Sequence, residues 1–316
     1  MDHGAPAGPV TVSLYLLNFD AERTPDLARL VEWTRIADEA GLDRVVLSEH
    51  VAMGEQLGNY ARAELGGVRG GTQPTGPDGS WLDPLATIAY LSAVTSRVRF
   101  ATGVLLAALR SPVLLAKTAA TIDVLSGGRL ELGVGVGWQR EEYDATGTDF
   151  SRRGRRLDRN LAVCQALWTS DRVDYADDEI RLDAIHQMPK PAQPGGIPVW
   201  VSGTVNPGAM NRLARHGTGW IPWGEDAGDI AAGIARMRAA MTERSRDPGS
   251  IRVTAPFDPV LRGDGTVDPG ETVARAGQLR SAGVTDLQLR FPRTVSPLSL
   301  AGQLRAVASL VRDGGS

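Results

Sequence analysis

Short apolar stretches alternate with longer stretches of helical periodicity along almost the whole chain. Residues 11–17 form the first apolar stretch and predict a buried strand, whereas residues 25–40 place their apolar side chains mostly on one helical face and end before Gly41. The alternation predicts eight strands, at 11–17, 44–48, 98–105, 129–136, 199–202, 219–222, 251–257 and 285–290. It predicts eight following helices, at 25–40, 83–94, 112–125, 156–168, 207–215, 229–244, 269–282 and 297–311.

Buried strands that alternate with helices predict a parallel sheet covered by helices on its outer side. Eight strand–helix units in a chain of 316 residues favour an α/β fold with a single closed (β/α)8 TIM barrel over an open doubly wound sheet. In this interpretation residues 1–11 are a disordered tail and residues 12–316 form the barrel. Because the loops after the strands carry the chemistry of such barrels, residues at the strand ends are the candidates for function.

Composition excludes several classes of protein. Apolar residues make up 42% and charged residues 22% of the chain, which is typical of a globular protein and excludes a disordered or fibrous chain. The net charge of −3 shows no basic excess, so we expect no nucleic-acid partner. No apolar stretch approaches the roughly 20 residues of a membrane span, and the first nine residues lack the pattern of a signal peptide. We therefore expect a cytoplasmic protein that does not bind membranes.

Candidate chemistry stands at the end of the second predicted strand, where Glu49 and His50 are neighbours. The chain has four histidines, and His50 alone lies at the carboxyl end of a predicted strand. A neutral imidazole is the commonest general acid or base near pH 7. A histidine that is only hydrogen-bonded beneath a loop is the alternative, and the position alone leaves both open. The single cysteine, Cys164, and the lack of histidines at other strand ends predict no metal site.

Small residues follow the third and fourth predicted strands. The third ends in Thr102, Gly103 and Val104, where a glycine lets the backbone approach a flat ligand or serves the packing of the barrel. The fourth ends in Gly-x-Gly-x-Gly at residues 133–137, followed by Trp138. This spacing differs from the dinucleotide fingerprint. Alternating glycines nevertheless leave one side of the strand end bare, which suits a planar ring or a phosphate-rich ligand.

Two places predict contact with an anion. The fifth predicted strand ends in Ser202, Gly203 and Thr204 just before a helix, whose first backbone N–H groups could hold a phosphate. Four arginines precede or open another helix, where cations oppose the helix dipole. They indicate either an acidic ligand tail or a solvated charged turn. These arginines are Arg152, Arg153, Arg155 and Arg156.

Two long insertions, at about 51–80 and 139–155, lie in predicted active-site loops. Their length and position predict lids over the site. Aromatic residues in and near these loops indicate an apolar pocket, and they are Tyr60, Trp81, Trp138, Trp220 and Trp223.

Several of these stretches together resemble the bacterial luciferase-like monooxygenase superfamily over about residues 12–290. The most specific one runs from Thr121 through the Ser-Gly-Gly-Arg at 126–129 and the glycines at 133–137 to Trp138 and Glu142. The other matching stretches are 40–43, 45–50, 101–105, 111–117, 153–154 and 167–168.

The resemblance implies a TIM-like barrel that binds FMN or the deazaflavin coenzyme F420 at the carboxyl ends of its strands. In the deazaflavin branch an acidic residue and a histidine end the second strand. Glu49 and His50 match this pair and are expected to be catalytic, with His50 in proton transfer and Glu49 setting its tautomer. Many members have a non-prolyl cis peptide after the third strand, and Gly103–Val104 matches it.

The same resemblance implies phosphate contacts from the loop after the fifth strand and from the end of the fourth. The expected cofactor-binding residues are Thr102, Gly103, Val104, Val136, Gly137, Trp138, Ser202, Gly203 and Thr204. The loop at 202–204 departs from the commoner Gly-Gly pattern of the family.

The sequence therefore predicts an F420-dependent oxidoreductase that transfers hydride between coenzyme F420 and a small, apolar organic substrate. The alternative is an FMNH2-dependent monooxygenase that inserts oxygen through a flavin peroxide. A protein that binds the cofactor without turnover is a third interpretation. The resemblance also implies a homodimer. A Schiff-base aldolase is disfavoured, because Lys117 and Lys190 lie away from strand ends.

Overall fold

Eight parallel strands close into a barrel in the computed structural model, which describes residues 10–22 and 24–313. Strands are numbered in chain order, and those of the barrel are β1 (Thr11–Tyr15), β3 (Arg44–Leu47), β5 (Arg99–Thr102), β6 (Leu130–Val134), β9 (Val199–Gly203), β10 (Gly219–Pro222), β11 (Arg252–Phe257) and β12 (Asp286–Arg290). Neighbours around the ring follow that order, and β12 pairs with β1 to close it. The predicted (β/α)8 barrel is thus confirmed.

Helices cover the outside of the barrel and the loops at its carboxyl end. They are α1 (Leu27–Glu39), α2 (Pro84–Ser92), α3 (Pro112–Ser126), α4 (Arg140–Ala145), α5 (Arg153–Thr169), α6 (Pro207–His216), α7 (Glu225–Gly228), α8 (Ile230–Glu243), α9 (Pro269–Ala282) and α10 (Pro297–Asp313). Each of the eight predicted helices is present, with ends that shift by a few residues. Helix α5 begins three residues before the predicted position 156.

Two antiparallel strand pairs lie outside the barrel. Strands β2 (Phe19–Asp20) and β4 (Ser80–Trp81) pair at the end of the 51–80 insertion, and the rings of Phe19 and Trp81 stack with centroids 4.0 Å apart. Strands β7 (Val173–Ala176) and β8 (Arg181–Ile185) form a hairpin that the sequence pattern missed. The alternation of apolar and polar residues in this hairpin is short, and most of its side chains are exposed. Its sequence therefore resembles that of a polar loop.

Most of the predicted tail lies outside the described residues, which begin at residue 10. Position 11 of that tail belongs to the barrel instead, because Thr11 is the first residue of β1. Within the part of the chain that the structure describes, no helix combines the length and apolar character needed to cross a membrane.

A buried layer of charges fills the amino-terminal end of the barrel interior. The guanidinium of Arg44 donates to Glu131 at 3.0 Å and to Asp286 at 2.6 Å, so one side chain on β3 connects β6 with β12. Arg99 and the indole N–H of Trp200 also donate to Glu131. The carboxylates are therefore fully hydrogen-bonded inside the barrel, which is the condition for burying them.

This layer identifies which side chains point into the barrel. Side chains alternate along a strand, so residues an even number of positions from Arg44, Glu131 and Asp286 share their inward direction. On β12 the inward series reaches Arg290, and along β3 it continues through Ser48 towards residue 50. The inward-facing residues of these strands therefore form the charged layer at the base and, further along the same strands, line the open mouth.

Replacing Arg44 tests the buried layer. We expect Arg44→Met to lower the free energy of unfolding by about 3–5 kcal/mol, because it leaves two buried carboxylates without their shared partner. Urea unfolding followed by circular dichroism measures the change. The matched control is Arg62→Met, which removes an exposed ion pair with Glu64 and should have little effect. An Arg44→Met protein as stable as the wild type would contradict the assignment.

The pH dependence of stability tests Glu131. Burial alone would raise the pKa of Glu131, but Arg44 and Arg99 outweigh burial and lower it from 4.5 to about 2. The ionised carboxylate stabilises the folded chain above the unfolded value of 4.5, and this contribution, of the order of 3 kcal/mol, is lost as the pH falls towards 2. Unfolding free energies measured across this range should fall more steeply in the wild type than in Glu131→Gln. Equal slopes would refute the prediction.

Candidate active site

His50 lies at the mouth of the barrel, just after β3, and only 11% of its side chain is exposed. Its ring packs edge-on against Trp81, with centroids 4.7 Å apart, and against Trp138, with centroids 6.0 Å apart. Trp81 ends the first insertion and Trp138 follows β6. Two indoles from different loops therefore fix the plane of the imidazole.

Both nitrogens of the His50 ring face polar side chains from the two insertions. The carboxylate Oε2 of Glu142, on α4, lies 3.4 Å from Nδ1, and the amide Nε2 of Gln73 lies 3.0 Å from Nε2. In this orientation the Gln73 amide nitrogen donates to Nε2, which corresponds to a neutral ring with its proton on Nδ1. Oε2 of Glu142 is near Nδ1, but the two atoms are not aligned as a hydrogen bond. The other oxygen of Glu142 accepts hydrogen bonds from the backbone N–H groups of Val51 and Ala52.

Glu49 does not contact His50 in the way the resemblance implied. Its side chain points out of the barrel, where it accepts a hydrogen bond of 2.6 Å from the Leu106 N–H and pairs with Arg110. The reason is the alternation of side chains, which turns residues 49 and 50 in opposite directions. Burial raises the pKa of Glu49, and Arg110 opposes this effect. The carboxylate that faces the imidazole is that of Glu142 on α4, and the Glu49 carboxylate faces Arg110 and the Leu106 N–H instead.

Bare backbone lines the mouth at the ends of β5 and β6, the next two strands around the ring from β3. The peptide bond between Gly103 and Val104 is cis, which confirms the match drawn from the sequence. A Cβ atom at Gly103 would lie 2.6 Å from Val46, and one at Gly135 would lie 2.8 Å from Val104, so neither position has room for a side chain. Thr102 directs its hydroxyl to the Gly133 carbonyl at 2.7 Å and joins β5 to β6.

The residues predicted after β6 support both the site and the lid. Trp138 is buried beside His50, whereas the Val136 carbonyl accepts a hydrogen bond from the Tyr143 hydroxyl. Gly137 has a φ of +67°, which favours glycine, and its carbonyl lies close to Gly66 of the first insertion. These residues hold the backbone in contact with the lid.

The first insertion crosses the whole mouth. It leaves from β3 and its Gly66 carbonyl accepts a hydrogen bond of 3.0 Å from the indole of Trp223, which follows β10 on the opposite side of the ring. Tyr60 packs edge-on against Trp138 and Trp223, with centroids 5.3 and 6.4 Å away. The prediction of a lid therefore agrees with the path of this segment, and a ligand must displace it to enter the mouth.

The loop at 202–204 stands at the start of α6. Asn206 caps this helix by accepting a hydrogen bond from the Ala209 N–H, and the Gly203 carbonyl accepts one from Trp220. Asp226 already binds the Val205 N–H at 2.7 Å. The groups left for a phosphate are therefore those of residues 202–204 and of the first turn of α6.

These residues fit a flat tricyclic cofactor with a phosphate. Strands β3, β5, β6 and β9 are consecutive around the ring, so His50, the glycine-lined wall and the 202–204 loop occupy one half of the mouth. The wall offers backbone in place of side chains where a ring would lie, and the loop at the start of α6 offers N–H groups where a phosphate would lie. The predicted cofactor-binding residues are thus brought to one place.

Two expectations change in the folded chain. Three of the four arginines near the start of α5 pair with acids in the β7–β8 turn, because Arg152 and Arg155 bind Asp178 and Arg156 faces Glu179. The fourth, Arg153, donates to the carbonyls of Phe150 and Leu65. They therefore need no external anion. Trp220 is fully buried on the outer side of β10 and lines no mouth pocket. The described residues contain no group of three or more side chains that could hold a metal ion.

Sequence reasoning missed Glu142 and Gln73 as partners of His50. Glu142 stood inside the most specific matching stretch, and its place in that stretch was the available signal. Gln73 lies in a glycine-rich segment without periodicity, so no pattern could have singled it out.

Comparisons with known proteins agree with this geometry. Residues 11–276 match the family model described as luciferase-like monooxygenase. The chain is 29% identical over 289 residues to Rv0940c of Mycobacterium tuberculosis, covering 88% of this chain and 90% of that protein. It is 28% identical over 254 residues to the F420-dependent hydroxymycolic acid dehydrogenase of M. tuberculosis, covering 79% of this chain and 62% of the relative. The crystal structure of monooxygenase RslO1 from Streptomyces bottropensis superposes with a TM-score of 0.73 at 19% identity, over 94% of this chain and 98% of that one.

Substitutions of Glu142 and of Glu49 can show which of the two acids influences the tautomer of His50. We expect Glu142→Gln to shift the neutral imidazole of His50 from the Nδ1–H towards the Nε2–H tautomer, because a neutral amide replaces the carboxylate charge 3.4 Å from Nδ1. Side-chain ¹⁵N chemical shifts at alkaline pH measure the tautomer, and the chain has only four histidines to assign. The control, Glu49→Gln, should leave the tautomer unchanged. The reverse pattern would return the positioning role to Glu49.

Proposed function

Because the chain belongs to the luciferase-like monooxygenase family, we propose that it is an oxidoreductase that transfers hydride between coenzyme F420 and a small organic substrate. The observation that carries this proposal is the imidazole of His50 at the barrel mouth, held between the carboxylate of Glu142 and the first insertion. The similarity to an F420-dependent dehydrogenase of M. tuberculosis supports the choice of cofactor.

The cofactor would occupy the half of the mouth between β3 and β9. Its ring would lie against the bare backbone at Gly103 and Gly135, and its phosphate at Ser202, Gly203 and Thr204. A bound deazaflavin supplies hydride transfer, and the protein supplies orientation and proton handling.

His50 would move the proton that accompanies hydride transfer. A bound substrate hydroxyl would take the place of Gln73 at Nε2 and use the lone pair of that nitrogen, with the lid closed again over both. As Nε2 accepts that proton, the ring becomes a cation with Nδ1–H directed at the buried carboxylate of Glu142, which stabilises the charge. The opposite direction of reaction uses the same groups, with Nε2 as the donor.

The lid would exclude water from this step. It crosses the mouth to Trp223 and brings Tyr60 and Trp81 over the site. Removing water strengthens the interaction between the imidazolium and Glu142, because the local dielectric constant falls.

A second candidate is an FMN-dependent monooxygenase. The description of the family and the fold shared with RslO1 favour it, and the same glycine-lined wall and phosphate loop suit FMN. The proposal also retains two expectations that rest on the family resemblance alone, namely a homodimer and a cytoplasmic location.

Equilibrium titration with oxidised F420 and with FMN, followed by fluorescence, distinguishes the two candidates. We expect F420 to bind more tightly. In His50→Ala, turnover of F420 should fall by about 10²–10⁴-fold while the F420 affinity stays within a few-fold of the wild type, because the imidazole handles a proton and does not hold the ring. Turnover is followed as the absorbance change of F420, beginning with the probes isopropanol and acetone.

The matched control is His186→Ala, which removes an exposed histidine on the outer hairpin. It should change neither the affinity nor the rate. Tighter binding of FMN would favour the monooxygenase, and full turnover in His50→Ala would remove His50 from the mechanism.

A further inference from the structure

An arginine at the other side of the mouth has no role in the site described so far. Arg290 is the last residue of β12, four positions after the inward-facing Asp286, so it shares the inward direction at the open end of the barrel. Its guanidinium lies 5.0 Å from the ring centroid of Tyr15, and it donates to Gln288 at 3.3 Å. Arg290 is exposed to solvent at the mouth.

Arg290 differs from three other arginines near the barrel axis. Arg44 and Arg99 are each paired with carboxylates at the base, and Arg293, just beyond β12, faces Asp20. Arg290 pairs with no carboxylate among the residues that the structure describes. Its charge is therefore available to a ligand, and a planar guanidinium suits two-point recognition of a carboxylate.

The topology separates Arg290 from the phosphate loop. In the ring of eight strands, β12 lies opposite β6, and its neighbour β1 lies opposite β9. Residues 202–204 are at the end of β9. A cofactor with its phosphate at that loop extends its ring towards the centre of the mouth. Arg290 thus faces the space left for the substrate, on the far side from the phosphate.

Two phenols accompany Arg290. The Tyr15 hydroxyl donates to Ser48 at 2.9 Å, two residues before His50, and the Tyr60 hydroxyl has no hydrogen-bond partner among the described residues. Burial raises the pKa of both tyrosines, and the charge of Arg290 opposes this rise at each of them. The guanidinium and the two phenols therefore act on one region, which the lid covers through Tyr60.

We propose that Arg290, beside the ring of Tyr15 and assisted by the hydroxyl of Tyr60, binds a carboxylate of the substrate. The substrate class is then a small carboxylic acid whose apolar part lies beside Trp81 and Trp138, near the imidazole of His50. This refines the expectation of a purely apolar substrate. The inference rests on the proposed function only in placing a substrate in this mouth.

Two pairs of probes with matched skeletons test the carboxylate. Benzoate is compared with benzamide, and hexanoate with hexanamide, by quenching of tryptophan fluorescence in the protein without cofactor. We expect each carboxylate to bind about tenfold or more tightly than its amide, and the preference to weaken as salt is added. Arg290→Met should abolish the preference, and Arg290→Lys should retain part of it, because lysine keeps the charge without the planar fork.

The control Arg275→Met removes an exposed arginine on the outer helix α9 and should leave the preference intact. A preference that persists in Arg290→Met, or equal binding of acid and amide to the wild type, would overturn the proposal. F420 is titrated separately. If Arg290→Met weakens F420 binding about tenfold, Arg290 serves the cofactor and the inference fails. If F420 does not bind but the carboxylate preference depends on Arg290, the proposed function fails and the anion site stands.

Discussion

The alternation of side chains along the barrel strands, anchored by the buried Arg44, is the constraint on which the site depends. Arg44 ties Glu131 on β6 and Asp286 on β12 into one hydrogen-bonded layer at the base. A slip of one residue in any of these strands would place a charge in the apolar layer under the helices, at a high cost in free energy. The layer therefore fixes the register, and the register decides which residues reach the mouth. His50 and Arg290 face inward for the same reason that Glu49 faces outward.

The mouth then divides into two halves of different chemistry. From β3 to β9 the wall is bare backbone, bounded by His50 and by the loop before α6, and it suits a flat ring with a phosphate. Around β12 and β1 it carries a guanidinium and a phenol, which suit an anionic group. The imidazole stands near the boundary between the halves. A substrate bound there could exchange a proton with the imidazole and a hydride with the cofactor.

The two insertions act as one unit over this mouth. Glu142 of the second insertion binds the backbone at the start of the first, and Arg153 donates to the Leu65 carbonyl within it. Both insertions also contact His50, because Glu142 faces Nδ1 and Gln73 faces Nε2. The position of the lid and the state of the imidazole are therefore linked. The first insertion covers the site, and its Gln73 occupies the nitrogen of His50 that a substrate would use.

The sequence by itself determined the eight strand–helix units, the barrel and the position of His50, because these follow from local periodicity and from residues adjacent in the chain. It also located the glycines after β5 and β6. Only the tertiary structure decided that Glu142 and not Glu49 faces the imidazole, that Arg152 and Arg155 pair with Asp178 in a later hairpin, and that Arg290 shares the mouth with Tyr15. Each of these pairs joins residues far apart in the chain. Their meeting depends on strand register and on the closure of the ring, which no local pattern encodes.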